Sequence, residues 1–497
     1  MAKLSAVTIR TKILATLGPA TSDADSLFRL FEAGCDACRL NFSHGTLDQH
    51  LLMLRNIREA AARWMQPVAV LGDLCGPKIR LGAIADERET GGMPMDVGDQ
   101  LVIQRKAITG GAKCVSSTYP ALIDDVKVGD RLLVEDGLIR FICTDKTKDE
   151  LRCSTTVGGV LKTAKGINLP NTTVSLPSIS DRDWECVNWA IENDLDYLAL
   201  SFVRSADDIK LLREHLRNHV SDIHVIAKIE KAEALANIDA IVEVSDGLMI
   251  ARGDLGVEID LARVPIVQKE LIIKCLSAAK PVIVATQMLQ SMVEHASPTR
   301  AEVSDVANAI IDGTDSVMLS GETSVGKFPI GAVVTMSHIA EVTEEYLASQ
   351  PPRNETAVKL KTMHLSAATA RGVRQIANDL AIKLVVVYSP SGATARIFSK
   401  NRFSIPIIAL SNDHRALRRM ALHYGVIPQE SPPPADMDSL VAQIDALVQE
   451  RKFATPGMRI IIVAGSSMGS PGTMNSVIIH TVGDENPLVQ PVTITEA

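Results

Sequence analysis

The sequence predicts an α/β protein built on a closed (β/α)8 barrel of the TIM type, with an inserted all-β lid domain and a C-terminal α/β domain. Three observations carry that expectation. Eight short apolar runs alternate with helical segments over the first 346 residues. One loop of that series loses its helical period and gains turn signals. Helix and strand then alternate afresh beyond Pro351-Pro352. A length of 497 residues exceeds what one core holds and suggests about three domains. The expected division is 1–77 and 177–346 for the barrel, 78–176 for the lid and 347–497 for the C-terminal domain.

The eight runs are Lys12–Thr16, Ala37–Asn41, Val68–Asp73, Tyr197–Ser201, His224–Ile229, Gly247–Ala251, Val282–Thr286 and Ser316–Leu319. They are short, aliphatic and free of polar alternation, as strands buried on both faces of a parallel sheet must be. Helical periodicity follows most of them, at Ser22–Ala33, Leu47–Trp64, Ser205–His215, Val264–Ala279, Ala301–Asp312 and Ile330–Glu345, and Asp181–Asn193 precedes the fourth. Ser22-x-x-Asp25 and Ser180-x-x-Asp183 read as N-cap starts. An open doubly wound sheet is the competing arrangement.

Between Lys78 and Leu176 the helical pattern disappears. Alternating runs at Met95–Val102, Arg131–Glu135 and Leu138–Ile142, a segment Val126–Gly129, and Asp136-Gly137 between two runs predict β-hairpins. A domain inserted in a βα loop stands where barrels carry function, so it is expected to act as a lid. The C-terminal region predicts helices at Ala367–Asp379, Thr394–Lys400, His414–His423 and Met437–Gln449. Strands are expected at Leu384–Tyr388, Ile407–Leu410 and Ile460–Ala464, with a hairpin edge at Ser476–Val482.

Net charge is −8, with no Lys/Arg block, which argues against nucleic acid as a partner. No stretch approaches the roughly 18 apolar residues of a membrane span, and Met1 to Arg10 lacks an apolar core of signal-peptide length. Eight scattered cysteines read as free thiols in a reducing cytoplasm. Cys35-x-x-Cys38 has no second pair at zinc spacing, so it is expected to be buried packing rather than a metal site.

In a parallel barrel, chemistry gathers at the C-terminal ends of the strands. There the sequence offers Arg39, Asn41, Ser43 and His44 after the second run, and Asp73, Lys78 and Arg80 after the third. Lys228 and Glu230 follow at the fifth, Arg252-Gly253-Asp254 at the sixth, Thr286-Gln287 at the seventh, and Ser320 and Glu322 at the eighth. Such convergence predicts an enzyme handling an anionic substrate with a metal. Glu230 and Asp254 sit on neighbouring strands, and two carboxylates completed by water and substrate suit Mg²⁺. Lys228 and Glu230 are two apart on a strand and so face the same way. An ammonium fixed beside a metal serves phosphoryl transfer, which runs on positioning and charge stabilisation. Arg39 and Arg80 offer planar forks to phosphate oxygens. Gly321 to Lys327 has the spacing of a phosphate-binding loop, but Phe328 stands where Ser or Thr is needed.

The segments TKILATLGPAT, RLNFSHG, GPKIR, IAKIE, MIARGDLGVE, ATQMLQSM, SPTRAEVSDVANAI and DGTDSVMLSGET together resemble the pyruvate kinase family over almost the whole chain. The resemblance implies transfer of a phosphoryl group from phosphoenolpyruvate to ADP, giving pyruvate and ATP, in a cytoplasmic homotetramer using Mg²⁺ or Mn²⁺. It implies Arg39, Lys228 and Thr286 as catalytic, with Gly253 and Asp254 also on the substrate. Glu230 and Asp254 hold the divalent metal. Asn41, Phe42, Ser43, His44, Arg80 and Lys165 lie along the nucleotide, and Asn41, Ser43, Asp73 and the Leu74 carbonyl surround a monovalent cation.

The family's common Asp-Thr-Lys-Gly-Pro-Glu here reads Asp73-Leu74-Cys75-Gly76-Pro77-Lys78, which departs at three positions, and Leu74 and Lys78 are the two that bear on the monovalent cation. Leu74 removes a side-chain oxygen and Lys78 brings an ammonium, so K⁺-independent activity is expected. In the C-terminal domain, Ser389, Ser391, Gly392 and Thr394 join a strand to a helix in a donor-rich loop, and Gly465 to Thr473 is a second such loop. The resemblance implies an effector there, a sugar phosphate or nucleotide. A pyruvate-enolate aldolase and a silent metabolite sensor are the rival readings.

Overall fold

A computed structural model describes residues 9–85, 91–170, 172–350, 364–465 and 474–484. Eight parallel strands close into a barrel: Lys12–Thr16, Ala37–Asn41, Ala69–Asp73, Tyr197–Leu200, His224–Ile229, Gly247–Ala251, Val282–Ala285 and Ser316–Leu319. Closure is direct, since the first strand pairs with both the second and the eighth, Lys12 lying opposite Ser316. Inward side chains including Leu14, Leu71, Tyr197, Ile226, Met249, Ile283 and Met318 fill the barrel as a core of their own. Ala421 and Leu422 of the C-terminal domain join that core. The Tyr197 hydroxyl donates to the Arg419 carbonyl at 2.8 Å. The barrel floor is therefore sealed by the C-terminal domain, and the opposite rim is left for ligands.

Boundaries move by a few residues where caps decide them. Ser180 and Asp183 form the expected reciprocal cap. The helix Ala24–Glu32 is instead capped by Asp23, which accepts from the Ser26 amide at 2.8 Å, so Ser22-x-x-Asp25 is not its start signal. The Gly321–Lys327 segment opens as one helical turn, Gly321–Ser324, after the eighth strand.

The segment between the third and fourth barrel strands folds as a six-stranded sheet and a two-stranded ribbon around a separate core. The expected run Met95–Val102 is broken by a turn into Met93–Met95 and Gln100–Gln104. Val126–Gly129 is not a strand; it follows a single helical turn, Leu122–Asp125, that the sequence did not suggest. Asp136-Gly137 does turn a hairpin between Arg131–Val134 and Ile139–Lys146, with positive φ at both positions. The third domain is a five-stranded sheet, ordered Val426–Glu430, Ile407–Ser411, Val385–Tyr388, Arg459–Gly465 and Met474–Thr481, the last strand antiparallel. Pro351-Pro352 and residues 466–473 of the second Gly/Ser loop lie outside the described residues. Cys35 and Cys38 are buried, and the Cys35 thiol donates to the Ala37 carbonyl.

Candidate active site at the C-terminal rim

Each barrel strand delivers its last residues to one rim, and there a chain of charges links the second, third and fifth of them. Arg39 meets the Asp73 carboxylate at 2.7 Å and donates to the Thr16 hydroxyl at 3.0 Å. The other Asp73 oxygen lies 3.2 Å from the Lys228 ammonium, which is 3.0 Å from Glu230. Ser201 accepts from Lys228 at 2.5 Å and donates to the Leu74 carbonyl at 2.7 Å. The second Glu230 oxygen accepts from the Phe202 amide at 2.7 Å. Asp73 and Glu230 are each 1% exposed, so these charges interact with little help from water.

Burial and the neighbouring charges pull against each other at these groups. For Lys228, burial pulls the ammonium down, but Asp73 and Glu230 outweigh it and hold the group above the ordinary lysine range. Burial likewise opposes ionisation of Asp73, and Lys228 with Arg39 reverses that, keeping the carboxyl below its usual range. Glu230 goes the other way. Its burial, with the Asp254 charge nearby, outweighs Lys228 and raises it.

Across the rim, Thr286 holds φ at 71° and Gln287 at 56°. A β-branched residue in that region is strained, and strain of this kind persists only where neighbours enforce it. They do so here. The Thr286 hydroxyl accepts from the Gly253 amide at 2.8 Å, and its carbonyl accepts from Arg252 at 3.0 Å. Arg252 is itself anchored to Asp305 at 2.7 Å.

Between rim and lid opens a cleft of about 1020 Å³, lined by Lys78, Arg131, Arg140, Gly253, Asp254 and Gln287 among others. On the lid side, Lys165 pairs with Glu135 at 2.5 Å and Arg80 donates to the Ala164 carbonyl at 3.0 Å.

A family model described as pyruvate kinase, barrel domain, matches residues 8–333, and one described as pyruvate kinase, alpha/beta domain, matches residues 367–480. The chain belongs to the pyruvate kinase family. A pyruvate kinase of Geobacillus stearothermophilus is 43% identical over 479 residues, 96% of this chain and 81% of that protein. One of Corynebacterium glutamicum is 39% identical over 486 residues, covering 97% and 99%. The crystal structure of a pyruvate kinase from Cryptosporidium parvum superposes with a TM-score of 0.85 at 34% identity, covering 95% and 96%. Family membership makes the chain a phosphotransferase of glycolysis.

Not every residue expected at this pyruvate kinase rim presents its side chain there. Phe42 is buried, edge-on to His50 at 5.1 Å and Trp189 at 5.6 Å, so its ring is core and only its backbone is left for a nucleotide. The Asn41 side chain accepts from the Ser43 amide at 3.2 Å, and the His44 carbonyl bonds His50 at 2.9 Å. Glu322 is fully buried and accepts the Leu289 and Ser320 amides, bracing two loops instead of facing the cleft. The ammonium that meets Asp73 is that of Lys228. Lys78 instead runs beside Gly166, where a Cβ would lie 3.0 Å from its Cε.

No group of three or more His, Cys, Asp or Glu side chains is arranged for a metal among the described residues. The Glu230–Asp254 pair nevertheless fits a divalent cation. Mutual repulsion contributes to the rise at Glu230, and the Asp254 carboxylate has no hydrogen bond or ion pair among the described residues. A hard cation completed by water and substrate oxygens would relieve both. Ser201, Phe202 and Asp305 belong to the site and were not singled out by sequence, whereas Arg252 was read at the sixth run without a role. Ser201 ends the fourth predicted run, in the position that flagged Asp73 on the third, so that signal was available. Asp305 lies within the helix Arg300–Asp312 and gave none.

Proposed function

We propose that this chain transfers the phosphoryl group of phosphoenolpyruvate to ADP and then protonates the enolate to give pyruvate. The observation that carries the reading is the buried chain Arg39–Asp73–Lys228–Glu230 at the rim, with the charge of Asp254 acting on Glu230, and with Asp254 and Gly253, the hydrogen-bond partner of Thr286, lining the cleft. Arg39 presents its fork to the phosphoryl oxygens. Lys228, held charged by two carboxylates, faces the negative charge that spreads over those oxygens as the bond to the enol oxygen breaks. Asp73 fixes both cations, so neither reorganises during the step. Glu230 and Asp254 would hold Mg²⁺ or Mn²⁺, which when bound neutralises substrate oxygens. The Gly253 amide, now on Thr286, is the donor for the substrate carboxylate, and Thr286 stands next to it to pass a proton by way of water to the enolate carbon. Arg80, Lys165, Asn41, Ser43 and His44 are the proposed nucleotide side. ADP-dependent pyruvate release in a coupled assay tests this reading; enolate chemistry without a nucleotide requirement would favour the aldolase alternative.

K⁺-independence belongs to the same proposal. It is supported by Leu74 in place of a side-chain oxygen, by the Leu74 carbonyl already accepting from Ser201, and by Lys78 lining the cleft with Asp254. Replacing K⁺ by tetramethylammonium should leave the rate within about twofold, and a collapse refutes it. A cytoplasmic homotetramer is proposed as well. Leu261, just before the helix Val264–Ser277, and Ile266 and Ile273 within it are exposed by 72%, 55% and 53%, apolar side chains that suit self-association. Light scattering decides the oligomer. No helix among the described residues is long and apolar enough to cross a membrane.

A further inference from the structure

The lid meets the barrel at the helix Arg252–Glu258, whose first turn carries Gly253 and Asp254. Glu258 ends that helix, and its side chain is 2% exposed. One of its oxygens, Oε1, accepts two hydrogen bonds from different domains. The Lys231 ammonium donates from the barrel at 2.7 Å, and the Asn168 amide donates from the lid at 3.2 Å. Lys231 directly follows Glu230 and precedes the short helix Ala232–Ala236. Asn168 ends the lid strand Ile167–Asn168, which pairs with Arg131–Val134, the strand that leads into the Asp136-Gly137 turn. That turn lies over the same helix, since a Cβ on Gly137 would stand 3.7 Å from Val257 Cγ1.

The Lys231–Glu258 pair is a staple between the two elements that present Glu230 and Asp254. On the strand side it lies next to Glu230 in sequence. On the helix side Glu258 stands four residues after Asp254, on the same helical face. Holding Glu258 therefore fixes where Asp254 stands relative to Glu230. Two carboxylates serve a divalent cation only at the separation its coordination allows, and partners outside the ligand set commonly hold that separation. Asn168 is buried with Glu258, so water does not readily replace its amide if the lid withdraws. One buried oxygen thus joins the lid, the strand end bearing one carboxylate and the helix bearing the other.

We propose that Glu258 is a positioning residue through which the lid sets the spacing of Glu230 and Asp254, and with it the affinity of that pair for a divalent cation. The proposal rests on the reading of Glu230 and Asp254 as the metal pair.

Calorimetric titration of Mn²⁺ into the full chain, without substrate or nucleotide, tests it. Lys231→Met keeps the apolar stem and removes the ammonium; it should raise the Mn²⁺ Kd about tenfold or more, the scale of losing an outer partner of a metal site. Lys231→Arg, which keeps a charged donor, should recover most of that affinity. Asn168→Ala alters only the lid's end of the contact and should weaken Mn²⁺ binding about threefold or more; it carries the test alone if Lys231→Met does not fold. In the Lys231→Met background it should add little, because both changes act through Glu258. A Kd within about twofold of the parent in either single variant overturns the proposal, as does an equal loss from Asn168→Ala with and without the Lys231 ammonium. A lowered melting temperature with parental Mn²⁺ affinity counts against it too, since the contact would then hold only the fold. Glu230→Gln with Asp254→Asn tests the underlying reading. If that double change leaves Mn²⁺ binding intact, the metal pair fails and the proposal with it. If it abolishes binding while Lys231→Met and Asn168→Ala bind as the parent does, only the coupling through Glu258 fails.

Discussion

Replacing Asp73 by Asn removes one negative charge from between two cations. Asp73 is 1% exposed and meets Arg39 at 2.7 Å and Lys228 at 3.2 Å. Asparagine is nearly isosteric but has one oxygen for two cations, and it turns an amide NH₂ toward the other. Removing one partner from a buried ion pair costs about 3–5 kcal/mol, because the remaining charges stay desolvated. For a domain of this size that is a drop in melting temperature of roughly 10 °C. The Lys228 ammonium, held then by Glu230 and Ser201 alone, loses its fixed position, and kcat/KM should fall about 10²–10³-fold, the scale of losing one aligned charge-stabilising donor. The sign with pH follows from the depressed folded value of Asp73. Its stabilisation is complete above the unfolded value of about 3.9 and is lost as pH falls through the lower folded value. The stability gap between parent and Asp73→Asn should therefore be flat from neutral pH down to about 5 and close only in strong acid. Denaturant unfolding at several pH values, with a coupled pyruvate assay at pH 7, measures all three quantities. Stability within about 1 kcal/mol of the parent and kcat/KM within threefold would refute the reasoning.

Two further outcomes follow from the same geometry. Mg²⁺ should raise the melting temperature of the parent, since a ligand bound only to the folded state at 100 times its Kd adds about 2.7 kcal/mol; Glu230→Gln with Asp254→Asn should abolish the rise, seen by scanning calorimetry without any turnover. Thr286→Gly should relieve a backbone strained by about 1–3 kcal/mol while removing the hydroxyl that accepts from Gly253, so stability should hold or increase as kcat falls at least tenfold; a loss of both would show the φ of 71° to be unstrained.

The barrel was legible because its strands are buried on both faces and so read as unbroken aliphatic runs. The lid was less so. Glu150–Val157 buries only alternate residues, Leu151, Cys153 and Thr155, in an otherwise polar segment, and it escaped notice. Val426–Glu430 carries Pro428 on the sheet's outer strand, where a missing N–H is tolerated. At the site, position along the chain indicated which residues reach the rim but not which way they turn. Phe42 follows Asn41 directly yet packs on Trp189, because the chain bends there and the ring finds apolar space over Gly72. Glu322 looked like a rim acid, and its two amide partners make it a brace. The links Ser201–Lys228 and Arg252–Thr286 join residues far apart in sequence, and only the closed barrel brings them within bonding distance.

The measurement that bears most directly on the central claim is steady-state pyruvate formation from phosphoenolpyruvate and ADP by Lys228→Met, with circular dichroism run beside it. An ammonium pinned by Asp73 and Glu230 beneath the transferring phosphoryl group predicts a loss of at least about 10³ in kcat in a chain that keeps its parent spectrum. Turnover within tenfold of the parent would mean that the charge stabilising the transfer comes from elsewhere.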